Sequence, residues 1–531
     1  MSAPREPIRD PATLMPVNTA PPPARVRPAP RGQALPTPLA AAAVFLSSAA
    51  VLVLEIVGLR LVGPYIGVTL QTSSAVIGVA LAAIAYGAWT GGWLADRVNP
   101  RRLLAPAFVL AAAATAVTLP VVRWAGELLR GSASAGILLL TAVAVFVPAA
   151  LLSGITPLVV KLQLADVGHT GRVVGRLSSI GTLGAITATL GTGFVLVAAM
   201  PTSTILISLA VLLAGAGVGL FIYLRRVDRS SVALGQRGRT TVAVALVGLA
   251  GAGLTVLAPN PCDVETAYHC AAVETDDIRP GGRLLMLNSA RHSYVDLNDF
   301  SHLEFQYAKW MGAFTDMLAP GGQPLRALHI GGGGFTLPRY LDVTRPGTFN
   351  RVLELDGDLV ELDRARLAVT PGPVLEIEVG DARTAVARQP AGDFDLVIGD
   401  AFGHLVVPWH LTTREFVQDI HRTLRPGGSY ALNVIDYPPS NLVKAEIATV
   451  REVFAEVAVV APTKALNGLE GANFVILASD DPLPLADLRE RMAGLPRSTS
   501  VFSGAELDAF VGDAQILTDD FAPVDQLLTH P

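Results

Sequence analysis

Seven long apolar runs in the first half of the chain leave few architectures open. They lie near residues 39–59, 72–95, 103–122, 135–160, 177–199, 203–224 and 240–258. A helix needs roughly 20 such residues to cross the hydrocarbon core of a bilayer. Inside the core every backbone N–H and C=O must be satisfied within the protein, which favours continuous helices. The expectation is therefore an all-α, multi-pass membrane bundle of about seven helices over residues 39–260. The chain as a whole is 51% hydrophobic and 16% charged, with mean hydropathy +0.47. That apolar excess is concentrated before residue 260, and the remainder has ordinary soluble composition.

The flanks of these runs predict an orientation. Residues 1–38 are rich in Pro and Arg and carry few large apolar side chains, so the tail is read as disordered and not as a signal peptide. Basic residues follow the second run (Arg97, Arg101, Arg102), the fourth (Lys161, Arg172, Arg176) and the sixth (Arg225, Arg226, Arg229, Arg237, Arg239). Loops after odd runs carry less charge, Arg123 and Arg130 apart. The excess of Lys and Arg on cytoplasmic loops then places the N-terminus in the cytoplasm and, with seven crossings, the C-terminal domain outside. The fourth run, interrupted by Pro148, Gly154 and Pro157, is the one most open to being re-entrant. Small residues at helical spacing, Gly181 and Gly184 among them, permit close helix approach. Glu55 is the conspicuous charge within the runs, with Arg60 a candidate partner. Gly91–Arg102 resembles the loop between the second and third helices of the major facilitator superfamily, so the bundle is transporter-like with no assignable cargo.

The two cysteines, Cys262 and Cys270, sit just beyond the last run. A pair this close points to a disulfide loop on an oxidising face. Two free thiols, or a metal site using His269, are the alternatives, although two Cys and one His make a poor zinc site. No metal is expected. A net charge of -5 gives no basic footprint for nucleic acid.

Beyond residue 260 the periodicity changes. Residues 261–300 read as a linker carrying the cysteine pair and a small β-hairpin near 283–297. Over 301–531, strands near 325–330, 350–355, 374–379, 393–399, 429–435, 455–461 and 472–478 alternate with helical stretches. Such alternation means a mainly parallel sheet covered on both faces, of the α/β class. Ligands of such sheets bind outside the carboxyl ends of the strands.

Those ends carry the candidate site. The first strand runs into Gly331, Gly332, Gly333 and Gly334, where backbone can approach a ligand without Cβ clashes. Glu354 follows roughly 20 residues later, where a carboxylate can accept from ribose hydroxyls. Asp381 closes the third strand and Asp400 the fourth. Taken together, their order and spacing indicate a nucleoside site.

The segment from about 283 to 480 resembles spermidine synthase, the polyamine aminopropyltransferases, within the class I methyltransferase-like (Rossmann-like) fold. The matching pieces are Leu328-His329-Ile330-Gly331-Gly332-Gly333, Val352-Leu353-Glu354-Leu355-Asp356, Gly380-Asp381-Ala382, Phe394-Asp395-Leu396-Val397-Ile398-Gly399-Asp400, Thr412-Thr413-Arg414-Glu415-Phe416 and Leu424-Arg425-Pro426-Gly427-Gly428. With the apolar runs in front, the chain resembles bacterial fusions of a transporter-like bundle with such a domain. The resemblance implies decarboxylated S-adenosylmethionine as co-substrate, with no permanently bound cofactor. It also implies Gly331–Gly333, Glu354, Asp381 and Ala382 on the donor, Asp400 as catalytic carboxylate, and a small-molecule amine as acceptor.

Several family positions differ. Gly334 stands where the family usually carries Asp, and Gly403 where it carries a second one. The Tyr-His-Glu or Tyr-Gln-Glu element reads His302-Leu303-Glu304, and an upstream Gln reads His292. His292, His302, Glu304 and Gly334 are thus the candidate acceptor-side positions, with His404 and His410 as other polar groups nearby. The losses make a diamine acceptor doubtful and keep two alternatives open: a non-catalytic nucleoside- or polyamine-binding module coupled to the bundle, and an S-adenosylmethionine-dependent methyltransferase.

Overall fold

The structure is a computed structural model and describes residues 35–67, 70–130, 134–164, 170–227, 253–254, 257–403, 407–494 and 497–528. Among the described residues, six helices are long and apolar enough to cross a membrane: Thr37–Ile66, Gln71–Arg97, Pro100–Leu129, Ala135–Gln163, Thr170–Ala199 and Thr202–Val227. The seventh run, near 240–258, falls largely outside the described residues. The interrupted fourth run continues through a π-helical turn at Ala142–Phe146 and a local break at Gly154 to end at Gln163. It is therefore a full-length helix and not a short re-entrant one. The first helix packs on the fifth, and the third on the sixth. Glycine makes the first of these contacts possible: a Cβ at Gly184 would lie 2.5 Å from the carbonyl oxygen of Phe45.

The helix ends sort into two groups. At one end Lys161 pairs with Asp96 at 2.7 Å, and Gln163 donates to the carbonyl of Leu35 at 2.7 Å. At the other, the guanidinium of Arg60 donates to the carbonyls of Thr266 and Ala267. There too Arg123 donates to Asn260 at 3.1 Å, and the Thr202 amide donates to Glu265 at 2.6 Å. The partner expected for Arg60, Glu55, is thus replaced by carbonyls of the soluble half. The soluble half sits on the ends of the first, third and sixth helices. Arg97, Arg101, Lys161 and Arg225 belong to the opposite ends.

Beyond the bundle the chain forms two sheets. The first is antiparallel, in the order β1 (Val264–Glu265), β2 (Cys270–Thr275), β3 (Gly282–Leu287), β4 (Ala290–Asp296). The expected hairpin is β3–β4. It is half of a four-stranded sheet, because β1 and β2 come from the segment read as linker. Cys262 and Cys270 are disulfide-bonded, with Cα atoms 5.1 Å apart.

The second sheet has eight strands. They are β5 (Arg326–Ile330), β6 (Phe349–Glu354), β7 (Leu375–Val379), β8 (Phe394–Gly399), β9 (Leu424–Asp436), β10 (Glu456–Pro462), β11 (Ala472–Ser479) and β12 (Thr499–Ser503). The spatial order is β12-β10-β11-β9-β8-β5-β6-β7. Strands β5 to β9 run parallel, whereas β11 and β10 are antiparallel to their neighbours. Fully buried runs such as Leu396-Val397-Ile398 in β8 are what a central strand covered on both faces requires. The chain leaves β5 toward β6 and β7 on one side, and returns to β8 and β9 on the other. The switch point therefore opens a crevice at the carboxyl ends of β5 and β8.

Candidate active site

The glycine turn after β5 lies against the end of β8. Gly331 has φ +92°, and a Cβ there would sit 2.5 Å from the carbonyl oxygen of Asp400, so only glycine allows the two strand ends to approach this closely. Gly332 donates its amide to Glu354 Oε2 at 2.7 Å and Gly333 donates to the same oxygen at 3.4 Å. The other Glu354 oxygen accepts from the Asp356 amide at 2.9 Å. Buried at the end of β6, Glu354 ties the turn to the neighbouring strand.

Asp356 caps the helix Gly357–Arg366 through the Leu359 amide at 3.2 Å. It also accepts from the hydroxyl of Thr266 and lies 3.5 Å from His269 Nδ1. Burial raises its carboxyl pKa, but the hydrogen bonds from His269 and Thr266 outweigh this and bring it below the usual range. Asp381 caps the helix Ala382–Arg388 through the Thr384 amide at 3.0 Å, and its second oxygen faces His410 Nε2 at 3.2 Å. The structural role of a cap and a place in the crevice thus coincide at Asp381.

A cavity of about 220 Å³ brings these residues together, lined by Gly331, Gly333, Glu354, Asp381, Ala382 and Asp400, with His410 at its side. A second cavity, of about 290 Å³, lies beyond, between Tyr307, Asn433 and Asn473. Asp400, His292 and Phe402 line both cavities, so Asp400 stands at their junction. Its carboxylate accepts from Asn433 Nδ2 at 2.9 Å and from the Tyr307 hydroxyl. Burial pushes the Asp400 carboxyl up to about 6, against those two hydrogen bonds, which pull it down. Burial and the adjacent carboxylate hold the Tyr307 phenol well above its usual range. Burial, with His269 nearby, lowers His292 to about 4, which leaves its imidazole neutral at neutral pH.

The acceptor-side positions divide. His292 lies at the junction. His302 and Glu304 pair with each other at 3.0 Å and line neither cavity; the residues that do are three further on, Phe305, Gln306 and Tyr307. The helix Gln306–Met317 begins just after His302 and Glu304. Gly334 lines neither cavity; its amide donates to Ser293 Oγ at 3.0 Å. His404 lies outside the described residues.

The disulfide loop forms the far wall of the first cavity. Tyr268 and His269, between the two cysteines, line that cavity, and they also line a gap of about 50 Å³ against Arg60, Tyr65 and Arg123 of the bundle. Asn260 donates to the Cys262 carbonyl at 2.7 Å, which fixes the loop's entry.

No protein-family model matches the chain. The soluble half is similar to the polyamine aminopropyltransferase of Vibrio vulnificus, at 27% identity over 217 residues, covering 39% of this chain and 70% of that protein. It is also similar to the polyamine aminopropyltransferase of Nitrosomonas europaea, at 30% identity over 178 residues, covering 31% of this chain and 52% of that protein. The match thus spans about half of the second relative's length. Among solved structures, a probable spermidine synthase from Corynebacterium glutamicum aligns with TM-score 0.46 and 28% identity over 50% of this chain and 96% of that one.

Proposed function

We propose that the soluble half is an aminopropyltransferase whose donor is decarboxylated S-adenosylmethionine, held on the extracytoplasmic face by the bundle. The observation that carries the reading is the position of Asp400 at the junction of the two cavities. The donor's nucleoside would occupy the cavity of Glu354 and Asp381, with Glu354 accepting from ribose hydroxyls and Asp381 with Ala382 at the adenine. The propyl arm would then point at Asp400, and the amine would enter from the cavity of Tyr307 and Asn433.

The chemistry follows from that geometry. The amine lone pair forms a C–N bond at the carbon next to the sulfonium. The C–S bond breaks, its electron pair goes to sulfur, and neutral methylthioadenosine leaves. The nitrogen gives up a proton to Asp400. A free alkylammonium has a pKa of about 10, so the amine must be presented deprotonated, and a carboxylate raised to about 6 is a better base than an ordinary one. Tyr307 and Asn433 hold it in position.

The sidedness is supported by the two groups of helix ends. The basic ends, with Arg97, Arg101, Lys161 and Arg225, lie opposite the soluble half, and Lys and Arg favour the cytoplasmic side. The disulfide fits an oxidising compartment. Val227 ends at the basic side, whereas Asn260 contacts Arg123 at the other.

Calorimetric titration of the purified full chain with methylthioadenosine tests the donor site: saturable binding is expected, and lost or strongly weakened binding in Glu354→Gln. No binding to the wild-type chain sinks the reading. A C-terminal alkaline phosphatase fusion is expected to be active, and an inactive one overturns the outside placement.

A further inference from the structure

The cavity beyond Asp400 is poor in negative charge. Among the described residues its charged groups are one carboxylate, Asp400, and one guanidinium, Arg291; the His292 imidazole and the Tyr307 phenol are neutral at neutral pH, and Gln306, Asn433 and Asn473 carry no charge. The sequence after Asp400, up to residue 408, contains no Asp or Glu. A diamine carries two ammonium groups out of water, and each needs a counter-charge or full hydrogen bonding in exchange. Asp400 offers this to the reacting nitrogen. The second ammonium would meet no other carboxylate in the lining, and it would share the space with a guanidinium.

Asn473 gives an Nδ2 hydrogen to Asn433 at 3.1 Å, whereas Arg291 and Gln306 have hydrogens to offer. Arg291 is exposed at the rim, its guanidinium 5.4 Å from the Phe305 ring and engaged in no ion pair among the described residues. Gln306 Nε2 is buried without a hydrogen-bond partner. A buried donor left unpaired is costly, so this one calls for an acceptor atom. A guanidinium is the side chain best shaped to hold a carboxylate, through two parallel hydrogen bonds. The anionic group for an amine is thus Asp400, and the groups suited to an oxyanion are Arg291 and Gln306.

We infer that the acceptor is an amine bearing a carboxylate at its other end, an ω-amino acid, and not a diamine. This rests on the aminopropyltransferase reading of the site. The amine end, presented deprotonated, meets Asp400 and attacks the donor carbon, giving up a proton to Asp400 as described above; the carboxylate end meets Arg291 and Gln306.

The matched probes are 4-aminobutyrate and 1,4-diaminobutane, which share a four-carbon chain and differ in one terminal group. The full-length protein in detergent is titrated with each, with and without saturating methylthioadenosine. Turnover is then followed with decarboxylated S-adenosylmethionine. The expected result is at least tenfold tighter binding, and higher kcat/KM, for 4-aminobutyrate. Arg291→Gln should erase that preference without changing methylthioadenosine affinity, and Arg291→Lys should restore part of it. Equal or tighter binding of the diamine overturns the inference, and so does failure of 4-aminobutyrate to bind while methylthioadenosine does. Failure of methylthioadenosine alone overturns the donor reading, and the amine titrations without it still decide the acceptor class.

Discussion

Asp400→Asn should stabilise the protein while abolishing its chemistry. The carboxyl is raised from 3.8 to about 6, a shift of roughly two units, and each unit is 1.36 kcal/mol. Holding the charge in the folded state therefore costs about 3 kcal/mol once the group is ionised. The sign follows from linkage. Because the folded pKa lies above the unfolded one, the native state binds the extra proton between about 4 and 6. Stability is highest below that window and falls as pH rises through it. Asparagine, with nearly the same shape and no charge, removes the dependence and can still bond to Asn433 and Tyr307. The variant should match wild type near pH 4 and exceed it by about 3 kcal/mol at pH 8, or roughly 5–10 °C in the unfolding midpoint of the soluble half. Thermal unfolding in detergent, followed by intrinsic fluorescence at both pH values, reads this directly. A variant less stable at pH 8, or a gain independent of pH, refutes the account. It would mean that the hydrogen bonds from Tyr307 and Asn433 more than offset burial.

Turnover should rise with pH through about 6 as Asp400 ionises, and a kcat/KM profile flat between pH 5 and 7.5 excludes it as the base. Glu354→Gln should weaken methylthioadenosine binding by roughly 10- to 100-fold, the loss of one charged hydrogen bond at about 1.5–3 kcal/mol; unchanged affinity in titration removes Glu354 from the donor site. Cys262 and Cys270 are eight positions apart, and opening so short a loop should cost about 2–3 kcal/mol. Because the loop walls the donor cavity, a Cys262→Ser, Cys270→Ser double variant should also raise the donor KM more than it lowers kcat. Equal effects on both, or none, detach the loop from the site.

Much of the first cavity's lining is legible in the sequence because its signals are local. Glycines after β5 and acids at the ends of β6, β7 and β8 announce themselves in any alternating α/β pattern, and the crevice at the strand ends follows from topology alone. The second cavity is assembled from distant segments. Tyr307 is one residue inside its helix, and its role depends on how that helix docks over β8. Asn433 and Asn473 did leave a trace, as polar residues within the apolar runs Ala431-Leu432-Asn433-Val434 and Asn473-Phe474-Val475-Ile476; a polar side chain in a central strand must have a partner. Strand β1 escapes a sequence reading because it is two residues long and pairs only with β2, and β2, Cys270–Thr275, because it finds its partner, β3, across a turn. The seating of the soluble half on Arg60, Arg123 and Thr202 has no local signature, since it joins residues more than 60 positions apart.

The nine-residue ring closed by Cys262 and Cys270 touches a membrane helix with one face and the first cavity with the other: Arg60 grips its carbonyls, and Thr266 holds Asp356, with His269 3.5 Å away. Binding free energies linked through a shared element are reciprocal. On the proposed reading of the cavity, any rearrangement of the first helix that withdraws Arg60 and so loosens the donor's wall would weaken the donor by some factor, and donor binding would oppose that rearrangement by the same factor. Occupancy of the cavity would thereby act as a force on the bundle.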